Sequence, residues 1–353
     1  MRRNSSLIAS ALLLAACHAE VEDVPLTQQS IYFSDKFFDV KALGPDRALI
    51  VGYGGKILET ADGGITFTRR ESGTNLALFD VAVVGGKVWI AGQEGLILHS
   101  ADGGKTFVAQ TSGTQNYLFA IQMLSESRGF AVGDRSVLVE TVDGGKTWTP
   151  RTLTVAAPEG EAAEDPDLLL AMQDPVLYDV RFLNDKVGWV VGEFGRILRT
   201  EDGGQTWKEQ QATLMGEHTG IVDPMDIPTF FGIHPIIEQE AIVTGLEGRI
   251  ARTKDAGQTW VFEAMKLDYP IADPLYAPFV TADGTEWAVG AAGEVVTKKA
   301  SDAVWSRADL GNPLFTWIRS IDFADPSNGW LVGGYGNVLH TSDGGKSWRL
   351  CIG

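Results

Sequence analysis

Six aspartates in this chain stand in one repeated phrase, and carboxylates at a fixed spacing are the first place to look for chemistry. Asp62, Asp102, Asp143, Asp202, Asp255 and Asp343 each follow a Thr or Ser by two residues and lead into x-G-x-[ST]-[FW], as in Thr200-Glu201-Asp202-Gly203-Gly204-Gln205-Thr206-Trp207. Such a carboxylate can hold a cation or work as a general acid or base. It can also accept the backbone N–H groups of its own tight turn, with Gly supplying a positive φ at no steric cost. Copies facing outward around a repetitive fold would not converge on one substrate. The expectation is therefore a structural role for these aspartates, with no catalytic residue. His18, His99, His218, His234 and His340 lack metal-ligand spacing, so no metal is expected. There is no G-x-S-x-G elbow, and the glycines repeat as hairpin turns, not as a phosphate cradle, so no cofactor is expected either.

A second set of side chains carries binding chemistry. Lys56, Arg196 and Arg249 share one position, four residues after a recurrent Gly. Arg319 aligns with Phe38, Phe79, Phe119, Tyr178, Phe231 and Tyr276 at the start of each unit. The cations could recognise a partner's carboxylates, or pair with nearby glutamates at little gain on a surface. The aromatics could grip a peptide or sugar at a channel mouth, or pack between repeats. The candidate partner-binding residues are Lys56, Arg196, Arg249, Arg319, Phe79, Tyr178, Phe231 and Tyr276.

Cys17 has a different chemistry. Arg2 and Arg3 precede an apolar stretch, Leu7 to Ala16, that is too short to span a bilayer and suits an export signal. The run Leu14-Ala15-Ala16-Cys17 resembles the lipobox of bacterial lipoproteins, in which cleavage before the Cys is followed by acylation of its thiol. The alternative is an ordinary signal peptide with Cys17 incidental. The expected layout is a signal over 1–16, an acidic tether over 17–30 and a folded body over 31–353. By resemblance, His18 after the Cys favours the outer membrane over the inner one. Cys351 is left without a partner, so the fold must stand without disulfides.

The elements that position these residues repeat. Each Asp phrase lies about ten residues after a Gly (Gly52, Gly92, Gly133, Gly192, Gly245, Gly333), and a degenerate copy at 301–305 follows Gly290. Every unit holds four short β-rich runs divided by glycine turns; in the fourth they are 177–183, 188–192, 196–200 and 206–210. Four strands per unit in seven units of about 40 residues specify an all-β, seven-bladed β-propeller. The blades are expected at about 31–72, 73–112, 113–152, 176–211, 229–265, 275–309 and 315–353. Insertions at 151–176 and 211–229 fall between blades, and loops of that length are usually functional or disordered. A net charge of −17 argues against a nucleic-acid partner.

The phrase from Val187 to Trp207, closely repeated from Asn328 to Trp348, resembles the photosynthesis system II assembly/stability factor family within the BNR/Asp-box superfamily of propellers. The resemblance spans roughly 31–353. It implies a non-catalytic scaffold that binds a membrane protein or envelope complex and assists its assembly or stability. The partner it implies is photosystem II if the source is photosynthetic. The rivals are a sialidase-like, glycan-acting hydrolase and a lectin for glycan or peptide. The arginine-isoleucine-proline signature of sialidases is absent from the first unit.

Overall fold

The computed structural model describes residues 30–153, 174–216, 219–223 and 226–352. Seven four-stranded antiparallel sheets follow one another along the chain, each in the order 1-2-3-4, and form a seven-bladed β-propeller. Their strands run over 37–70, 78–111, 118–150, 177–209, 230–262, 275–307 and 318–350. In blade 4 the strands are Leu177–Phe182, Gly188–Gly192, Ile197–Thr200 and Lys208–Glu209. The last begins later than its composition suggests because Thr206 is still held in the turn, its N–H donated to Asp202 Oδ1 at 2.9 Å.

The core is divided among the blade interfaces. Alternate residues of a strand point to opposite faces of the sheet, and each second strand is sandwiched between two neighbours. Trp189 and Val191 of blade 4 therefore pack with Phe230 and Trp260 of blade 5, while Val190 packs with Phe130 and Val132 of blade 3. This explains why second strands such as Gly188–Gly192 are buried throughout.

The Gly that ends each second strand has its own cause. Gly92 is extended, with φ −160°, so a left-handed backbone is not what requires it. A Cβ there would lie 2.4 Å from the Ala77 carbonyl oxygen. That same carbonyl accepts the Gln93 N–H at 2.9 Å, tying the turn after strand two to the connection that leads into the blade. The bond recurs in every blade, from Tyr53 N–H to Lys36 O in the first to Gly334 N–H to Trp317 O in the last. In an antiparallel meander these turns and the blade-to-blade connections share one end of the ring, the loop face. The Asp phrases lie on the other, the box face.

Ring closure uses no exchanged strand, because all four strands of blade 7 come from the C-terminal segment. Blade 7 meets blade 1 through Ser320 Oγ to Asp39 Oδ1 at 2.5 Å, Ala42 N–H to Asp322 Oδ2 at 2.9 Å and Lys41 Nζ to Asp322 at 2.8 Å. A cluster of Ile31, Phe37, Phe67, Trp330, Val338 and Cys351 fills the same seam.

The signal and tether expected over 1–30, including Cys17 and His18, lie outside the described residues except for Ser30, as do 154–173 of the first insertion. In the second insertion Leu214, Ile221 and Ile227 are buried in the cluster between blades 4 and 5. Part of this insertion is thus used in packing between blades; residues 217–218 and 224–225 lie outside the described residues.

Candidate functional site

The first strands line the channel, and their side chains form tiers. The uppermost, at the loop face, is a collar. Phe38 lies 5.3 Å from Phe79, Phe79 5.2 Å from Phe119 and Phe119 5.8 Å from Tyr178, centroid to centroid. Tyr178 continues to Phe231 at 4.9 Å and Phe231 to Tyr276 at 5.5 Å. Arg319 takes the seventh place, its guanidinium 5.2 Å from the Tyr276 centroid, and Trp317 stacks on Phe38 at 5.7 Å. The edge-on and tilted geometry suits neighbouring aromatic quadrupoles. All six rings are half-buried, so each both packs on its neighbours and shows an edge or face to the channel. Burial, then the Glu193 carboxylate, pushes the Tyr178 phenol up to about 12.

One residue further along lie Asp39, Asp80 and Asp179. Each accepts a backbone N–H from the next blade: Val81 to Asp39 Oδ2 at 2.9 Å, Ile121 to Asp80 Oδ2 at 2.7 Å and Ile233 to Asp179 Oδ2 at 3.0 Å. These carboxylates therefore link adjacent first strands. Two further residues on come Lys41, Ala82, Gln122, Arg181, His234, Phe279 and Asp322, around a cavity of about 320 Å³. Burial, with Arg181 and Lys41 nearby, lowers the His234 imidazole to about 4. Sequence reasoning missed these lower tiers. Their signal was the residues one and three places after each aligned aromatic, where Asp recurs in blades 1, 2 and 4 and charged residues follow.

The four cations selected from sequence do not converge. Lys56 is 8% exposed and pairs with Asp35; Arg196 is 3% exposed and pairs with Glu209. This corrects their placement on an open partner surface. In blades 4, 5 and 6 this position faces strand four of its own blade and takes what complements the residue there, whereas Lys56 turns to Asp35 in the segment before strand one. In blade 6 the polarity is reversed, with Glu294 Oε2 bonded to Arg307 Nε at 2.9 Å, and in blade 5 Arg249 lies over Phe262 at 5.0 Å. Arg249 remains well exposed, 3.5 Å from Glu247, and Arg319 is in the collar. Phe79, Tyr178, Phe231 and Tyr276 are brought together there.

The repeated aspartates have internal partners. Asp202 Oδ1 accepts the Thr200 hydroxyl at 2.8 Å and the Thr206 N–H at 2.9 Å, and Oδ2 accepts the Thr206 hydroxyl at 2.6 Å. Asp62, Asp102, Asp143, Asp255 and Asp343 repeat the pattern. Hydrogen bonds to the ionised form hold Asp62, Asp202 and Asp343 down to about 2, led in each case by the hydroxyl at the seventh box position. The degenerate phrase of blade 6 lacks this turn, and Asp302 accepts the Lys299 N–H at 3.1 Å instead. No group of three or more His, Cys, Asp or Glu among the described residues is arranged to hold a metal ion.

Comparison with known proteins gives a consistent family. Residues 18–111, 108–164 and 162–269 match the family model described as photosynthesis system II assembly factor YCF48, which covers more than half of the chain. The photosystem II assembly protein Ycf48 of Synechococcus sp. (strain JA-3-3Ab) is 25% identical over 254 residues, covering 63% of this chain and 71% of that protein. The chloroplastic photosystem II stability/assembly factor HCF136 of Arabidopsis thaliana is 35% identical over 276 residues, covering 63% and 64%, so the chain spans just under two thirds of that relative. The photosystem II assembly lipoprotein Ycf48 of Nostoc sp. (strain PCC 7120) is 24% identical over 255 residues, covering 63% and 69%. A solved structure of YCF48 bound to D1 peptide superposes with a TM-score of 0.64 at 16% identity, covering 87% of this chain and 92% of that one. The GH74 xyloglucanase from Xanthomonas campestris gives 0.67 at 12% identity, covering 91% and 55%. At these identities the solved structures speak to fold alone.

Proposed function

The chain belongs to the photosynthesis system II assembly factor YCF48 family, and from that premise we propose that it is a non-catalytic propeller scaffold. It binds a membrane protein or envelope complex by its loop face and assists assembly or stability. The observation that carries this reading is where the exposed aromatics lie. Phe33, Tyr53, Tyr117, Tyr269, Phe315 and Tyr335, the exposed aromatics among the described residues, sit in turns after strand two, in blade-to-blade connections or, for Phe33, in the segment that leads into blade 1. Phe33 and Tyr335 stack at 4.6 Å while remaining 75% and 53% exposed. Exposed aromatic surface gathered on one face marks a contact site, whereas the box face, among the described residues, exposes only aliphatic side chains such as Ile65 and Val142 and puts its aspartates into internal bonds.

The relatives are named for assembling or stabilising photosystem II, so that complex is the proposed partner where the source is photosynthetic. A relative named as a lipoprotein supports export with a lipid anchor on Cys17. Periplasm-facing attachment, with the outer membrane favoured by His18, is part of the same proposal.

Crosslinking and affinity capture from solubilised membranes test the reading. Phe315→Ser/Tyr335→Ser should recover the wild-type membrane partners at least fivefold less well, while the box-face variant Ile65→Ser/Val142→Ser recovers them normally. Equal recovery from both variants would end the loop-face assignment. The glycan-acting alternative draws only on a shared fold. A panel of fluorogenic glycosides should show no turnover, and turnover abolished by Asp39→Asn would establish the hydrolase instead.

A further inference from the structure

The channel beneath the collar is short of positive charge. Asp39, Asp80 and Asp179 surround a single guanidinium, that of Arg181, which lies 3.0 Å from Asp179 Oδ1 and 3.4 Å from Asp80 Oδ2. The remaining channel carboxylate, Asp322, is already matched by Lys41 at 2.8 Å. Asp179 is 7% exposed, and its Oδ1 accepts no hydrogen bond, since Arg181 Nε is out of alignment with it. Asp179 also borders both the space inside the collar, about 50 Å³, and the larger cavity below. Burial holds the Asp39 and Asp179 carboxyls above their ordinary range, with Asp80 adding repulsion in each case.

The collar itself already holds one cation, the Arg319 guanidinium over Tyr276. In the ring order Phe119 and Tyr178 stand farthest from Arg319, so their arc is open to a second cation. A ring of π faces followed by three carboxyl groups that share one guanidinium attracts an ammonium or guanidinium first by its quadrupoles and then by its charge. The opening admits a side-chain head and not a folded element.

We propose that the loop-face mouth of the channel receives one lysine or arginine side chain from an extended partner segment, with Phe119 and Tyr178 against its stem and Asp39 and Asp179 at its head. The cation supplies the charge that Arg181 alone does not. This rests on the reading of the loop face as the partner face, and it adds the chemistry that face selects. Binding favours the ionised forms of Asp39 and Asp179, so affinity rises with pH as these raised carboxyls lose their protons. Asp80, Asp322, Lys41, Arg181, His234, Arg319 and the phenols of Tyr178 and Tyr276 are the other titratable groups lining this space.

Calorimetric titration of the full mature chain with the peptide acetyl-Gly-Ser-Lys-Ser-Gly-amide, its Arg counterpart and its norleucine counterpart is the test. The Lys and Arg peptides should bind at least tenfold more tightly than the norleucine peptide. Asp179→Asn and Asp39→Asn should each weaken the Lys peptide about fivefold or more and flatten its pH dependence. Tyr178→Leu leaves the inter-blade carboxylates in place and should weaken it similarly, which keeps the test decisive if an Asp variant folds poorly. Equal affinity for the norleucine peptide, no binding of any peptide, or binding of n-butylammonium alone would overturn the proposal. Membrane capture that depends on Phe315 and Tyr335 while no Lys peptide binds would leave the loop-face function standing and end this inference.

Discussion

At the scale of single residues, position along the channel decides protonation. His234 sits opposite Phe279 at 5.3 Å, with Arg181 and Lys41 close enough to oppose a second positive charge. Its folded pKa of about 4 lies below the ordinary value, so the unfolded chain binds the extra proton first as acid is added. The stability it contributes is complete above about pH 6.5 and is lost as pH falls toward 4, by up to about 3 kcal/mol. Asp39 and Asp179, raised by burial, act in the opposite sense, so the informative comparison is between variants. His234→Gln should lose about 2 kcal/mol less than wild type between pH 7 and pH 4.5 in urea unfolding. Parallel acid limbs would show that His234 is not what titrates. The box aspartates were legible as turn residues because their partners are local in sequence, as Thr200 and Thr206 are to Asp202. The fate of Lys56 and Arg196 was not legible, because Asp35 and Glu209 meet them only once the sheet is folded.

At the scale of the element, the second strand and its closing Gly carry the repeat. Period-two burial and glycine spacing made every sheet readable, since each strand pairs with its sequence neighbour and no long-range pairing had to be guessed. What the spacing could not reveal was the reason for the closing Gly, which depends on a carbonyl from the connection into the blade. Gly92→Ala would place a methyl 2.4 Å from Ala77 O, which itself accepts the Gln93 N–H, so relief of the clash loosens that bond. The expected cost is about 1–3 kcal/mol, the range for forced overpacking. Gly44→Ala, whose Cβ would meet Arg47 Cβ no nearer than 4.0 Å, is the control and should stay within about 0.5 kcal/mol. Equal urea midpoints for the two variants would mean that the closing Gly answers to something other than this approach.

At the scale of the whole molecule, the ring has one interface unlike the other six. Every blade is contiguous in sequence, so the seam between blades 7 and 1 is bridged by side-chain contacts, packing and the Gly336 N–H to Asp35 O bond at 2.8 Å, whereas chain connections reinforce the rest. Cys351 lies in that seam at 1% exposure, beside Gly64 of the first box turn, and a Cβ on Gly64 would come within 2.5 Å of its Sγ. Burial pushes its thiol up to about 11 against an ordinary 9, which leaves roughly 100-fold less thiolate near neutral pH. The thiolate is the nucleophile, so alkylation of Cys351 requires the seam to part and reports its opening. Asp322→Ala removes the acceptor of the Ala42 N–H and the partner of Lys41, both across that seam. It should raise the rate of iodoacetamide labelling of Cys351 in native buffer about tenfold or more, measured by mass spectrometry on a chain carrying Cys17→Ser. Asp179→Ala removes the comparable link between blades 4 and 5, from Ile233 N–H, and should leave that rate near wild type. If both variants label alike, the ring opens cooperatively and no single interface limits it. If Asp322→Ala alone accelerates labelling, the seam is where the propeller unlocks, and the collar residues contributed by blades 7 and 1, Arg319 and Phe38, become the first part of the channel mouth to move.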